Sequence, residues 1–401
     1  VTSFTAKTAS RKPKIFLSAG EASGEHYGTL LIPAIRGLAP EAEFFGLGGQ
    51  RMEALGFRRI VRAEDVAVMG ITEVIRHMPR IYGEYRRLKA SIAREKPDAA
   101  ILIDFPDVNL SLAKHLKRAG VPVIYFVSPQ LWAWKKYRIH EVRRYVDRML
   151  VIFPFEERFY LDRGIRATFV GHPLADLPLP GLSREAFARE WGLDASKEWV
   201  GLLPGSRIKE IRLNLPEMVR AASLLQHDPG KNTYEFLLPL ASTLTEAQRA
   251  EVRDMLPATP PVTITDDARP TLHHARASVV ASGTATVEAA LIGNPFLVVY
   301  RVSPVTYAVA RRVVDVPHVA MVNLIAGRRA VTELIQGDFT AENVVSHLRP
   351  LLEDEESRAR IQSSLREISG MLKAEGSDKD SAIESVARIT VQMLHENQPK
   401  D

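Results

Sequence analysis

Short apolar runs alternate with longer amphipathic stretches along almost the whole chain. In the first half the runs Lys14–Ala19, Glu43–Gly46, Ala99–Asp104, Val121–Val127, Arg148–Phe153 and Thr168–Val170 predict strands. Between them, Gly24–Leu38, Arg80–Glu95 and Asn109–Ala119 carry the three-to-four-residue apolar spacing of helices. Ala99–Ile103 is apolar throughout rather than alternating, which predicts a parallel strand covered on both faces. The pattern breaks from Gly171 to Gly181, where three prolines and two glycines mark a linker. It then restarts, with strands predicted at Trp199–Pro204, Tyr234–Pro239, Val262–Thr265, Ala277–Ala281 and Phe296–Tyr300. Beyond about Thr340 only helical spacing remains. Such β–α alternation on both sides of a proline-rich joint predicts an α/β protein of two doubly wound, Rossmann-like domains facing across a cleft. The domains run over residues 14–172 and 173–340. Residues 1–13 form a polar leader, and 341–401 form a helical tail able to dock back on the first domain.

Both domains open alike. A strand, a glycine turn and a helix start occur at Ile15–Glu21 and again at Val200–Arg207. In open α/β sheets ligands sit at the carboxyl ends of the strands, so these turns are where chemistry is sought. Composition narrows the field. With 46% hydrophobic and 25% charged residues over 401 positions, the chain reads as globular and multidomain. It has no cysteine, which excludes disulfides, zinc–thiolate sites and thiol nucleophiles. The net charge of +5 favours anionic partners such as phosphates or an acidic membrane surface. No nucleic-acid motif is present. The leader has Lys7, Arg11 and Lys12 but no apolar run, unlike a signal peptide. No stretch reaches the roughly 20 apolar residues of a membrane span. A cytoplasmic, peripheral protein is expected.

In the second half, Pro204-Gly205-Ser206-Arg207 is a glycine turn at a strand end that exposes backbone N–H groups, with an arginine fork beside it, a combination suited to phosphate. Ala281–Glu288 adds a small-residue turn, Gly283-Thr284, at a helix start whose unpaired N–H groups attract anions. Glu288, one turn in, can accept from ribose hydroxyls or stand as an exposed acid. In the first half, Gly20–His26 is glycine-rich but carries carboxylates where a dinucleotide phosphate wants none, which disfavours NAD. Glu21 there is either a hydroxyl- or proton-handling group or an acid favoured by the helix dipole. Asp104 ends a very apolar strand, where partial desolvation raises a carboxyl pKa and suits a general base. Asp107 is the alternative base, or a cap for the following helix. Asp378-Lys379-Asp380 reads as a solvated loop, and no metal site is expected. His172, His273 and His274 have no partner at ligand spacing. Val66–Leu88 mixes Val68, Met69, Ile71, Val74, Ile75, Met78, Ile81 and Tyr82 with Arg76, Arg80, Arg86 and Arg87. That segment is either an interfacial membrane contact or a core helix with a basic outer face. Trp132 and Trp134 belong to an acceptor-side wall or to packing.

Taken together, these stretches resemble lipid-A-disaccharide synthases, which have the GT-B glycosyltransferase fold. The matching segments, in family order, are AGEASGE (19–25), VAVMGITEV (66–74), DFPDVN (104–109), VSPQLWAW (127–134), FPFE (153–156), VGHPLAD (170–176), LLPGSR (202–207), ASGTATVEA (281–289), YRVSP (300–304) and NLIAGR (323–328). Each is weak alone; the set spans about residues 14–330. The resemblance implies condensation of UDP-2,3-diacylglucosamine with 2,3-diacylglucosamine 1-phosphate, an inverting, metal-independent step of lipid A biosynthesis at the inner face of the inner membrane. It implies that Glu21, Asp104, Arg207 and Asn323 serve activity. It further implies that Gly205, Ser206, Arg207, Gly283, Thr284 and Glu288 hold UDP, and that 66–82 contacts the membrane. A homodimer with exchanged C-terminal segments is also implied. Two departures stand out: Glu25 replaces the family aspartate, and His318–Val322 lacks the proline often found before Asn323. The same fold also serves UDP-N-acetylglucosamine epimerases and transferases of lipid-linked peptidoglycan precursors. A non-catalytic nucleotide-sugar-binding membrane protein is the reading from another class.

Overall fold

The computed structural model describes residues 12–66, 71–226, 234–313, 316–374 and 380–397, with side chains between 66 and 81 excluded. The expected membrane-contact residues Val68 to Ile81 therefore lie outside the described side chains, as do most of the leader and Asp378-Lys379. The chain divides into two units, Val1–Pro173 with Lys373–Asp401, and Leu174–Leu372. The division falls inside the proline-rich joint. The tail is shared: helices Ala341–Glu353 and Glu355–Met371 belong to the second unit, whereas Ala382–Glu396 packs on helix Ala22–Leu38 of the first.

The first unit is built on β1 (Lys14–Ala19), β2 (Glu43–Gly48), β3 (Arg58–Arg62), β4 (Ala99–Ile103), β5 (Val123–Phe126), β6 (Arg148–Val151) and β7 (Ala167–Phe169). They pair in the order 3-2-1-4-5-6-7, every pair parallel. Every residue of β4 and β5 is buried, as helices on both faces of a parallel sheet require. The second unit contains β8 (Glu198–Leu203), β9 (Tyr234–Pro239), β10 (Val262–Thr265), β11 (Ala277–Ala281), β12 (Phe296–Tyr300) and β13 (Glu333–Ile335). Their order is 10-9-8-11-12-13, again all parallel. Two strands escape the apolar pattern. β3 reads Arg-Arg-Ile-Val-Arg and buries only Val61; β13 has three residues and buries only Leu334. Both are edge strands, which tolerate charge and brevity because one flank meets no neighbour.

Buried polar side chains tie the loops of the first unit together. Asn109 is fully buried in helix Pro106–Arg118. Its Nδ2 donates to the carbonyls of Ile103 (3.0 Å) and Asp104 (2.7 Å), and its Oδ1 accepts from Ser18 Oγ of β1 (2.6 Å). One amide thus joins the ends of the two central strands. Glu156 plays the same part farther along. It is 1% exposed, and its carboxylate accepts from Trp132 Nε1 (3.0 Å), Ser128 Oγ (3.0 Å) and the Phe153 N–H (3.3 Å). Trp132 also meets Phe155 edge-on at 5.0 Å, so it is a packing aromatic; Trp134 stays 44% exposed.

Burial pushes Glu156 up to about 7 despite the donors around it, which favour the charged form. Its ordinary value is near 4.5, so between pH 4.5 and 7 the folded chain binds a proton that the unfolded chain has released. Stability should therefore fall as pH rises through that window. Glu156→Gln should flatten the dependence by about 2 kcal/mol between pH 5 and 7.5. Urea denaturation of both proteins at the two pH values measures it, and parallel curves would refute the assignment.

Candidate functional site

Each sheet reverses its strand order once, between β1 and β4 in the first unit and between β8 and β11 in the second. At such a reversal the two crossover connections leave in opposite directions and open a crevice at the carboxyl ends of the strands. The loops there are 20–21 and 104–105 in one unit, and 204–207 and 282–283 in the other. Almost all the residues singled out from sequence lie on these four loops or the first turns after them. Asn323 does not.

In the first unit the two loops interlock. A Cβ added to Gly20 would lie 2.3 Å from the Phe105 ring, so only glycine lets that ring close over the loop. Asp104 and Phe105 both take left-handed backbone, with φ of 47° and 48°. Two adjacent non-glycine residues in this region cost about 1–3 kcal/mol each. Tertiary bonds hold them: Asp104 N–H donates to Phe126 O (3.0 Å), while its carbonyl accepts from Tyr125 OH (2.7 Å) and Asn109 Nδ2 (2.7 Å). Burial, then the neighbouring Glu21 charge, pushes the Asp104 carboxyl up to about 6; a hydrogen bond from the Phe105 backbone opposes them. Strained backbone and a raised pKa at one residue are the marks of a functional carboxyl.

Its rivals have other occupations. Asp107 does not cap the helix, whose N-cap is Phe105 with no side-chain bond. It pairs with Arg138 Nη1 at 2.5 Å and Lys135 Nζ at 3.7 Å, on the surface. Glu21 is exposed and is itself the N-cap residue of helix Ala22–Leu38, again without a side-chain cap. Glu25 reaches the Arg51 N–H at 2.8 Å and lies against Gly49, where any Cβ would strike its carboxylate. Its extra methylene, relative to aspartate, adds reach toward that contact.

In the second unit Gly205 has φ 122°, a conformation only glycine adopts readily. The sequence suggests that this turn exposes backbone N–H groups. Those of Ser206 and Arg207 instead donate to Glu210 Oε2, at 3.2 and 3.4 Å, and Arg207 Nη1 donates to Glu210 Oε1 at 3.1 Å. Across the strand reversal, helix Thr284–Ile292 begins after Gly283 with no side-chain cap and open space around that glycine. Gly283 and Thr284 are exposed. Glu288 is half-buried, and burial pushes its carboxyl up against the pull of Arg269. Asn323 is fully buried. Its Nδ2 donates to Val331 O (3.0 Å) and Glu333 Oε1 (2.7 Å), and its Oδ1 accepts from the Ala330 and Val331 N–H groups (2.8 and 2.9 Å). Glu333 in turn accepts from the N–H groups of Val319 (3.1 Å) and Ala320 (3.0 Å), and Ser282 Oγ donates to Val319 O at 3.1 Å. Asn323 therefore reaches the Gly283 turn through a relay, not by its own atoms.

Glu210 and Glu333 are absent from the sequence reading, and Asn109 and Glu156 stand in it with no role given, as the last residues of DFPDVN and FPFE. Glu156 and Glu210 share a local signal, an acid at the third helical position after a turn, where it reaches back to the cap N–H. Among the described residues no cluster of three or more His, Asp or Glu side chains is placed to hold a metal. Asp380 pairs with Arg388 at 3.0 Å. A cavity of about 410 Å³ in the first unit, lined by Arg148, Phe169, Arg388 and Glu396, touches none of the strand-reversal loops.

Comparison with known proteins adds an independent line. The sequence model of lipid-A-disaccharide synthetase matches residues 15–387. The lipid-A-disaccharide synthase of Acidobacterium capsulatum is 64% identical over 397 residues, covering 96% of this chain and 97% of that protein. That of Koribacter versatilis is 50% identical, covering 94% and 97%. Among solved structures, UDP-GlcNAc 2-epimerase from Neisseria meningitidis aligns with a TM-score of 0.57 at 12% identity, over 96% of this chain and 99% of the other. The calicheamicin glycosyltransferase CalG4 aligns at 0.57 and 16%, over 97% and 100%. At such identities the structures speak for the GT-B fold alone. The family model and the two synthases, matched along nearly their full length, decide the rest: this chain belongs to the lipid-A-disaccharide synthetase family.

Proposed function

We propose that the chain condenses UDP-2,3-diacylglucosamine with 2,3-diacylglucosamine 1-phosphate, forming the β-1,6-linked disaccharide 1-phosphate and releasing UDP. The observation that carries the reading is Asp104: a desolvated carboxyl at the strand reversal of the first unit, in a chain of this family. The reaction divides into two electrostatic tasks. The acceptor 6-hydroxyl must lose a proton as it attacks the anomeric carbon, and the departing UDP gains charge as the glycosidic bond breaks. Asp104 takes the proton. A base whose pKa lies near the working pH contributes about 10²–10⁴-fold. Exposed Glu21, close enough to raise Asp104, adds negative potential near an oxocarbenium-like sugar.

The second task falls to the other strand reversal. Arg207 and the uncapped start of helix Thr284–Ile292 meet the pyrophosphate, and Glu288 accepts from the ribose. Neutralisation by an arginine and backbone N–H groups makes the reading metal-independent. Asn323 is a positioning residue, holding Glu333 and through it Val319 beside Ser282. The substrates are lipids, and among the described residues no helix is long and apolar enough to cross a membrane. The enzyme would work at the inner face of the inner membrane, with 66–88 as its contact segment and a homodimer as its assembly.

UDP release from the donor, measured with and without the monosaccharide 1-phosphate, tests the reaction; release that ignores the acceptor would contradict it. Asp104→Asn should fold and bind UDP normally while turnover falls about 10²–10⁴-fold. In the wild type, kcat/KM should climb as pH rises through about 6, because the base must be unprotonated. A flat profile there would remove Asp104 from the role. Arg207→Ala should weaken UDP binding about ten- to a hundredfold by calorimetry. Unchanged affinity would place the diphosphate elsewhere.

A further inference from the structure

Glu210 lies outside every role assigned so far, yet its carboxylate accepts three hydrogen bonds from the 205–207 turn. Its Oε2 accepts from the Ser206 and Arg207 N–H groups, and its Oε1 from Arg207 Nη1. Gly205 is shaped to the same side chain: a Cβ there would come within 2.6 Å of Glu210 Oε2 and 2.8 Å of Glu210 Cβ. The glycine is thus required by a packed acid as well as by its φ of 122°. An acid at the third helical position commonly reaches back to the N–H of the cap residue, which is worth a modest capping energy. Glu210 does this at Arg207 and also grips the arginine's own guanidinium. The second bond is what capping alone does not call for.

We propose that Glu210 is a positioning residue for the leaving diphosphate. The inference rests on the reading of Arg207 as a phosphate-binding group. Arg207 is a long side chain, 61% exposed, with many rotamers to lose on binding. One edge of its fork is anchored at Nη1, which narrows the rotamers open to the guanidinium before the nucleotide arrives. The rest of the fork remains for the phosphate oxygens, and part of the ordering cost is met in the free enzyme. The turn N–H groups then serve as anchors for Glu210. The anionic ligand is met by the arginine and by the helix start at Gly283-Thr284.

The test uses the full chain with Glu210→Ala and Glu210→Gln, UDP as the calorimetric probe, and steady-state kinetics in both substrates. Glu210→Ala should weaken UDP about tenfold and raise the donor KM, with the acceptor KM unchanged. Glu210→Gln keeps one acceptor oxygen and should fall between wild type and alanine. The double variant with Arg207→Ala should bind UDP no more weakly than Arg207→Ala alone, because Glu210 acts through that arginine. If Glu210→Ala binds UDP as well as wild type, or more tightly, the proposal is overturned; tighter binding would mark Glu210 as a competing internal anion. Equal losses in both substrates' KM would also overturn it, by showing a general structural defect. Failure of the underlying reading looks different: Arg207→Ala would itself leave UDP affinity unchanged.

Discussion

An all-parallel sheet cannot be closed by hairpins, so each strand returns through a crossover helix, and the handedness of that crossover decides which face the helix covers. When the strand order runs outward in both directions from the middle, the helices leaving the two central strands go to opposite faces. The sheet edge between them is left without cover. This constraint operates twice here, at β1/β4 and at β8/β11. It places Gly20-Glu21 beside Asp104-Phe105, and Pro204–Arg207 beside Ser282-Gly283. The buried strands supply rigidity, and the uncovered edge supplies room for loops whose backbone is not committed to the ladder.

Carboxylates show how much the surroundings decide. Asp104, Asp107, Glu25, Glu210 and Glu333 are the same functional group. Asp104 is desolvated beside another acid and held on a strained backbone, so its proton is loosely balanced. Asp107, three positions on in the first turn of helix Pro106–Arg118, is exposed and paired with cations. Glu25 and Glu333 accept backbone N–H groups and act as struts. Burial, charge partners and hydrogen bonds set the one desolvated carboxyl, the base proposed above, apart from four acids that are paired with cations or backbone N–H groups.

Much of this was legible in the amino-acid pattern, for a physical reason. Strands buried on both faces must be apolar along their length, so β1, β4, β9, β11 and β12 announce themselves. β3 and β13 do not, because an edge strand needs only one inward residue, Val61 or Leu334. The loops at the strand ends were legible too, since glycine, proline and a charged residue after an apolar run have few other uses. Partnership was not. Asp107 reads as a cap until Arg138, thirty-one positions on, takes it. The family resemblance marks Asn323 for activity, but nothing in its local sequence shows that Val331 and Glu333 fill its amide. The Ser206 and Arg207 N–H groups read as free until Glu210 folds back on them. Long-range contacts leave no trace in local spacing.

The Phe105 ring resting on Gly20 bears on how this protein can drift. The two positions are eighty-five residues apart in sequence but share one van der Waals boundary. The barrier is one-sided: a side chain at 20 strikes the ring, whereas a smaller residue at 105 would relieve that contact. Relatives with a side chain at position 20 should therefore also carry a smaller residue at 105, which makes the contact a site of ordered, correlated substitution rather than of simple invariance.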